Sequence, residues 1–379
     1  MNFDLTDEQA AIQRLARDFA EGEVRPVAEE LDRTKSFPYA IVKQMGELGL
    51  MGIPYPEEYG GGGADTLSYA LAVEELARVD SSVGITVAAN SSLGTWPIYA
   101  FGSEEQKQEW LPGLLAGTGL GSFGLTEPEA GSDAGNTRTR AALDEDGGEW
   151  VIDGSKQFIT NAGTDISAFV AITARTGENE ISNIIVPRDT PGYEVGEAYR
   201  KMGWNASDTR PLSFDGARVP QENLLGPRGK GFHQFLNTLD GGRISVAAMG
   251  LGLAQGALDE AVAYSRERQA FGRSISKFQA IQIKLADMAT EIEAARYLTY
   301  KAAVEKDEGR DFSQTAAKAK LKTGRLAVRC AEEAVQIHGG YGYIEEYPVC
   351  RMYRDAKILT IGEGTDEVQQ MIIARGLGA

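Results

Sequence analysis

The amino-acid sequence predicts a multidomain α+β fold with an N-terminal all-α domain, a central antiparallel β domain and a C-terminal helical domain. Helical spacing of apolar residues up to about residue 120, β-rich runs over 121–225, and a return of helical spacing from about 231 support it. This order lacks the alternating strands and helices of a doubly wound sheet. We therefore expect domains at residues 1–120, 121–230 and 231–379.

The N-terminal domain opens with a helix-start signature. Thr6 supplies an N-cap hydroxyl and Gln9 follows three residues later, which is the pattern of a capping box, and apolar residues then recur at helical spacing. Further helices are expected near residues 40–49, 65–79 and 104–115. The last of these also begins with a Ser three residues before a Gln.

The sequence pattern of the central segment predicts short strands joined by turns. The run EWVIDGSKQFIT, residues 149–160, contains an Asp-Gly pair between alternating apolar positions, which predicts a hairpin turn at that pair. A G-x-G-x-x-G match at residues 119–124 is rejected as a dinucleotide fingerprint, because Thr126-Glu127-Pro128 follows instead of a helix.

The C-terminal segment predicts long packed helices. A first helix after residue 231 carries one apolar face and one face of Ala and Gly, which lets a second helix pack closely against it. Two more long helices are expected at about 275–307 and 313–337.

The composition argues against a nucleic-acid-binding, disulfide-rich, metal-binding or membrane protein. The net charge is −17, so there is no basic footprint for nucleic acid. Two cysteines, Cys330 and Cys350, cannot build a disulfide framework or a zinc site, and two histidines, His233 and His338, are too few for a histidine-rich metal centre. No bound metal is expected. The N-terminus lacks signal-peptide features and no stretch suits a membrane span, so we expect no membrane insertion and a bacterial cytoplasm or other reducing compartment.

Two motifs of the central segment have open interpretations. LTEPEAGSD, residues 125–133, carries hydroxyls at Thr126 and Ser132 that could bind a planar polar ligand, or it is an ordinary turn. KQFITNAG places Phe158 and Thr160 on one face of a strand by the period of two, which suits a flat heterocycle or simple cross-strand packing.

Three motifs of the C-terminal segment are equally open. The motif RERQAFG places Arg268 and Phe271 at the end of a helix. Arg268 is then either a phosphate-binding residue or an ordinary exposed arginine at a helix terminus. QIHGGYGY, residues 336–343, is a candidate helix C-cap, with His338 a packed or capping residue. In TIGEGTDEVQQ, Glu363 stands between two glycines, as a solvated loop acid or as a base aimed into a pocket.

In order and spacing, these motifs together with YRDAKILTIGEGTDEVQ resemble the acyl-CoA dehydrogenase family over essentially the whole chain. The sequence is similar to short-chain (butyryl-type) members in FGSEEQKQEW, GSDAG and LDGGRI. The resemblance implies an N-terminal α domain, a central β domain and a C-terminal four-helix bundle, assembled as a homotetramer.

The resemblance also implies FAD as the cofactor. Phe158 would pack on the isoalloxazine with the Thr160 hydroxyl near N5, and Arg268 and Phe271 would reach the pyrophosphate of a neighbouring subunit's FAD. The residues implied to bind FAD are Thr126, Ser132, Phe158, Thr160, Arg268, Phe271, Gln336, Gly340 and Thr365.

For the substrate, the resemblance implies an acyl-CoA of short or medium chain length. Glu363 would be the catalytic base that removes the α-proton, while the hydride passes to flavin N5 and trans-2-enoyl-CoA forms. Asp240 and Arg243 would line the CoA channel, and Thr95, next to Trp96, would lie where the acyl tail ends. An electron-transferring flavoprotein would then accept the electrons.

Two glycines depart from patterns within the family. Many straight-chain members have Tyr where this chain has Gly362, and some branched- and long-chain members carry their base at the position of Gly242. Glu363 is therefore the one carboxylate at either position of the base. The alternatives to a straight-chain dehydrogenase are a branched-chain acyl-CoA dehydrogenase, an acyl-CoA oxidase that uses oxygen, and a catalytically silent helical scaffold of the same fold.

Overall fold

A computed structural model describes residues 4–378, so the outermost residues of the predicted first and last domains, 1–3 and 379, lie outside it. The predicted N-terminal helices and both capping boxes are confirmed: Thr6 and Gln9 exchange backbone and side-chain bonds, as do Ser103 and Gln106. The helices of this part are α1 (Asp7–Phe19), α2 (Arg25–Thr34), α3 (Tyr39–Glu47), α4 (Thr66–Val79), α5 (Ser81–Ala89), α6 (Trp96–Phe101) and α7 (Glu104–Leu115).

The central part is a single sheet that starts one residue before the predicted boundary. Its strands are β1 (Leu120–Gly124), β2 (Arg140–Asp144), β3 (Glu149–Thr160), β4 (Ser167–Gly177), β5 (Glu180–Pro187), β6 (Tyr193–Val195), β7 (Thr209–Pro220) and β8 (Leu224–Leu225). They lie in the order β6-β7-β3-β2-β4-β5-β8, with β1 beside β4. Most neighbours are antiparallel, but β1 runs parallel to β4, and β2 meets β4 in one parallel pair.

The hairpin turn predicted at the Asp-Gly pair is wrong, because that pair lies inside β3. Gly154 has a φ of 146°, and the register against β7 shifts between Ile152 and Gly154, which is a bulge. A Cβ at Gly154 would lie 2.6 Å from the hydroxyl of Thr139, so the bulge needs glycine. The turn between β2 and β3 instead uses residues 145–148, a second Asp-Gly run.

The C-terminal part is helical as predicted, and α8 begins immediately after the predicted boundary at 230. The small face of α8 is packed tightly: Ala247, Ala254 and Ala261 are completely buried. Its helices and one short hairpin are α8 (Gly231–Glu267), β9 (Gln269–Ala270), β10 (Arg273–Ser274), α9 (Gln279–Asp307), α10 (Ser313–His338), α11 (Pro348–Ala356) and α12 (Asp366–Gly376).

The two helical parts share one hydrophobic core. Leu76 of α4, Leu251 of α8 and Leu326 of α10 belong to a single buried cluster, while the sheet has its own cluster around Trp150 and Phe214. In this core, α8 packs against both α4 and α10, and α10 in turn contacts α12. Within residues 4–378, no helix is long and apolar enough to cross a membrane, and no cluster of ligating side chains could hold a metal ion.

Candidate active site

Glu363 lies on a tight left-handed turn just before α12. Its φ is 56° and that of Gly364 is 89°, a conformation that a residue with a Cβ adopts only under strain. Gln369 holds the turn by donating its amide to the Glu363 and Gly364 carbonyls, both at 3.0 Å. Lys320 of α10 donates to the same Gly364 carbonyl at 2.6 Å.

The turn directs the Glu363 carboxylate into the protein. The residue as a whole is half-buried, but its Oε2 atom is buried and has no hydrogen-bond partner. Burial raises the pKa of Glu363 to about 7, and the positive charges of Arg243 and Lys320 limit that rise. These observations contradict the solvated loop acid and describe a carboxylate with a pKa suited to a general base.

The buried oxygen faces α8 at Gly242. A Cβ at Gly242 would lie 2.9 Å from Glu363 Oε2 and 3.7 Å from a methyl group of Leu93. The structure therefore brings positions 242 and 363 together, although they are far apart in the chain. Leu93 comes from an irregular π-helical segment, Asn90–Thr95, that interrupts the helix between α5 and α6.

Thr95 and Trp96 lie at the end of that segment. Thr95 is completely buried, and its hydroxyl donates to the Asn90 carbonyl at 2.8 Å. The Trp96 indole donates to Asn237 at 3.0 Å, and the ammonium of Lys306 lies 4.4 Å from the centre of its ring. The Thr95 hydroxyl is thus committed to the backbone, and Trp96 is anchored to α8 and α9.

Asp240 and Arg243 form an ion pair one turn apart on α8. Ser313 donates to Asp240 at 3.1 Å, and burial raises the pKa of Asp240 against the opposing effect of Arg243. Arg243 is only 4% exposed, and its Nε atom is buried without a partner. Arg243 thus has one buried donor to which the described residues offer no acceptor.

The predicted flavin-contact residues of the β domain lie along β3. The Gln157 N–H donates to the Thr126 carbonyl at 2.8 Å, which joins the loop after β1 to this strand. A bulge between Lys156 and Ile159 gives Phe158 a φ of 61°, so the bulge, and not the simple period of two, sets the direction of its ring. That ring is 63% exposed and lies 5.2 Å from the ring of Tyr199.

The other two predicted flavin-contact residues of this domain are Thr160 and Ser132. Thr160 is half-buried at the end of β3, and Ser132 is exposed in the turn that follows Thr126. The exposed Phe158 ring, on a backbone of positive φ, fits a flat heterocyclic ligand.

A buried ion pair braces this loop, and sequence reasoning missed it. Lys156 Nζ lies 2.7 Å from Glu127 Oε1, and neither side chain is more than 2% exposed. Glu127 also accepts from the N–H groups of Arg138 and Thr139 at 2.6 and 3.0 Å. Burial lowers the pKa of Lys156 to about 8. Burial would also raise the pKa of Glu127, but Lys156 and these hydrogen-bond donors outweigh that effect, so the pKa of Glu127 is lowered overall. Glu127 lies in the motif LTEPEAGSD and Lys156 in KQFITNAG, but these motifs are far apart in the sequence and only the fold brings the two residues into contact.

We expect Glu127→Gln to destabilise the protein by about 3–5 kcal/mol, because it leaves the Lys156 ammonium buried without its counter-ion. Glu129→Gln, two residues away and exposed, is the matched control and should change little. Urea unfolding of both variants gives the measurement. Equal midpoints for the two variants would show that the pair does not brace the loop.

Four of the five remaining predicted flavin residues lie around the other end of α8 and α10. Arg268 and Gly340 line a cavity of about 520 Å³, and the Arg268 guanidinium lies 5.6 Å from the ring of Tyr341. Phe271 is 95% exposed at the tip of the β9–β10 hairpin, with a φ of 51°. Gln336 is exposed on the last turn of α10.

Two further residues have structural roles. His338 is packed, as one interpretation of its motif predicted: its Nδ1 lies 2.8 Å from the Ala334 carbonyl and its ring stacks on Tyr264 at 4.1 Å. Thr365 caps α12 by accepting from the Val368 N–H at 3.4 Å. Thr365 therefore fixes the start of the helix that follows the Glu363 turn.

Comparison with known proteins gives consistent matches. Models of the N-terminal, middle and C-terminal domains of acyl-CoA dehydrogenase match residues 6–118, 122–217 and 229–378. The Bacillus subtilis protein named probable acyl-CoA dehydrogenase YngJ is 55% identical over the whole of both chains. The structure of butyryl-CoA dehydrogenase from Megasphaera elsdenii superposes with a TM-score of 0.97 at 47% identity, over all of both chains. An acyl-CoA dehydrogenase from Bacillus anthracis, solved with FAD, gives 0.92 at 35% identity, over 99% of this chain and 67% of that one.

Proposed function

The chain belongs to the acyl-CoA dehydrogenase family, and from this premise we propose that it oxidises a short-chain acyl-CoA to the trans-2-enoyl-CoA with Glu363 as the catalytic base. The observation that carries the proposal is the buried, unpartnered Oε2 of Glu363, held on a strained turn opposite Gly242. FAD is the cofactor of the family.

Removal of the α-proton needs a base with a suitable pKa. The α-C–H of an acyl thioester is a weak acid, so an ordinary exposed carboxylate is a poor base for it. Burial brings the pKa of Glu363 to about 7, which keeps an ionised fraction at neutral pH and gives the carboxylate more affinity for the proton. Arg243 and Lys320 prevent a larger rise that would leave the group protonated.

Stabilisation of the enolate oxygen falls to donors around the thioester carbonyl. The Glu363 N–H would be one donor, and bound FAD would supply a hydroxyl as the second, in the manner of an oxyanion hole. Bound FAD supplies the hydride acceptor at N5. The exposed ring of Phe158 and the nearby residues Thr126 and Thr160 suit the flavin, and the exposed guanidinium of Arg268 suits a pyrophosphate.

The substrate, the acceptor and the assembly form the finer part of the proposal. The likeness to a butyryl-CoA dehydrogenase supports a short acyl chain, and an electron-transferring flavoprotein is the proposed acceptor. A homotetramer would cover the exposed hairpin tip at Phe271. The free thiols Cys330 and Cys350 suit a reducing compartment. A silent scaffold has no need of a buried acid with an unpartnered oxygen, which disfavours that alternative.

Anaerobic mixing of the purified yellow enzyme with acyl-CoAs tests the proposal. Butyryl-CoA should bleach the flavin, and octanoyl-CoA and isovaleryl-CoA in parallel measure the preference for chain length and branching. Hydrogen peroxide formed at the turnover rate in air would instead identify an oxidase. Colourless protein that gains no flavin on reconstitution would identify the silent scaffold.

Arg268→Ala should weaken FAD retention, because a guanidinium–phosphate contact is charge-assisted. The exposed neighbour Arg266, two residues earlier on α8, supplies the control variant Arg266→Ala. Flavin content after gel filtration and the oligomeric state by light scattering are the two measurements. If the cofactor crosses a subunit interface, lost flavin should accompany a weaker oligomer. Unchanged affinity and assembly would remove Arg268 from the site.

A further inference from the structure

We infer that Lys320 is a positioning residue for the catalytic base, because its ammonium, bound to the Gly364 carbonyl, fixes the turn that carries Glu363. The positive charge of Lys320 also favours the ionised form of the Glu363 carboxylate. The inference rests on the proposed role of Glu363. No motif in the sequence drew attention to Lys320, since it stands in the unremarkable run AAKAKLKTG of α10.

The geometry of Lys320 is that of a structural cation. Its side chain is completely buried, and its ammonium donates to the Gly364 carbonyl at 2.6 Å, the residue directly after Glu363. Gln369, also completely buried, is the second donor to that carbonyl. Burial of an ammonium group is unfavourable unless hydrogen bonds or charges compensate for it. The Lys320 ammonium is buried against a backbone carbonyl of this turn, which indicates that it holds the turn in place.

The neighbouring lysines show that the position is selective. Lys318 is exposed, and Lys322 forms an ion pair with Glu291 of α9, so these two point away from the catalytic turn. Lys320 alone of the three lies on the buried face with Ala316 and Thr323. A lysine on the small, apolar face of a helix is the sequence signal that could have revealed it.

Several charges surround Lys320. Glu363 and, on α12, Asp366 and Glu367 favour its protonated form, while Arg243 of α8 opposes it. Burial has the largest effect and lowers the pKa of Lys320 to about 8. Arg325 of α10 is bonded to Asp366 at 2.8 Å.

Around Glu363 itself the charged groups are fewer. Arg243 and Lys320 both favour its ionised form, and Asp240 is bonded to Arg243. Removing the positive charge of Lys320 should therefore raise the pKa of Glu363 above about 7. Because the base must be ionised, kcat/KM should then reach its plateau only at higher pH.

The test is the pH profile of kcat/KM for Lys320→Met and Lys320→Gln, with Lys318→Met as the matched control. The acid limb is the part of the profile where kcat/KM rises with pH. If it moves by about one pH unit, the variant reacts roughly tenfold more slowly than the wild type at pH values below the pKa of Glu363 in both proteins. We expect that displacement for Met and for Gln. Gln keeps a donor for the Gly364 carbonyl, so it should lose less of the plateau rate than Met. Lys318→Met should follow the wild type, and all variants should keep FAD.

An acid limb that stays in place in folded Lys320→Gln and Lys320→Met would overturn the inference. If neither variant folds, Lys320→Arg is the variant to measure. Arg keeps the positive charge, so the acid limb of its kcat/KM profile must coincide with that of the wild type. A displaced acid limb in Lys320→Arg would contradict the inference. An active Glu363→Gln would instead defeat the proposed function. An inactive Glu363→Gln with an unmoved limb in the Lys320 variants defeats only the role of Lys320.

Discussion

Glu363→Gln is expected to retain FAD and to reduce the rate of anaerobic flavin bleaching by a factor of roughly 10² to 10⁴ or more. The amide has the shape of the carboxylate, and so should keep the turn that Gln369 and Lys320 hold, but it cannot accept the α-proton. Stopped-flow mixing with butyryl-CoA gives the rate. Glu367→Gln, an exposed acid four residues later, is the control and should react normally. Near-normal bleaching by Glu363→Gln would reject this base.

The same variant has a second expected signature in the ligand-free protein. Burial raises the pKa of Glu363 from its ordinary value of 4.5 to about 7, so the contribution of this group to the stability of the wild type is lost as pH rises from 4.5 through about 7. Glu363→Gln has no such group, so its stability relative to the wild type should increase across this window. Parallel urea titrations at pH 5 and pH 8 measure the difference.

The sequence predicted the large elements well because their signals are local. The capping boxes at Thr6 and Ser103 form as expected, and helical spacing located the long helices α9 and α10 to within a few residues. The Asp-Gly pair in β3 misled the prediction because an Asp-Gly signal does not distinguish a turn from a bulge. Gly154 is required by the approach of Thr139, which belongs to a different segment of the chain.

The candidate site was only partly predictable for the same reason. The sequence motifs indicated Glu363 and Arg243, and the structure places Glu363 against Gly242, the residue directly before Arg243. The partners that position them come from distant segments: Lys320 and Gln369 hold the turn, and Lys156 pairs with Glu127. Such contacts are a property of packing between elements, so no period or spacing within one segment indicates them.

The remaining large effect concerns where the base must stand. Because a Cβ at Gly242 would lie 2.9 Å from Glu363 Oε2, side chains at positions 242 and 363 would point into the same small space. The reaction requires a carboxylate near the α-carbon and not a particular stretch of chain to carry it. Glu363→Gly should be nearly inactive, although glycine suits the left-handed φ of 56° at that position. Adding Gly242→Glu should restore a small but measurable rate.

Removal of the Glu363 side chain matters for this double variant, since it vacates the space into which a side chain at 242 would point. Replacing a helical Gly favours the helix by roughly 0.5–1 kcal/mol, while a new buried acid costs stability by desolvation. The assay is anaerobic flavin reduction with butyryl-CoA and isovaleryl-CoA, with Glu363→Gly/Gly242→Gln as the matched control that fills the space without a base. A changed preference between the two substrates is expected, because the carboxylate approaches from α8. A folded, yellow double variant with Glu at 242 that is no faster than Glu363→Gly with either substrate would contradict the shared position of the two sites.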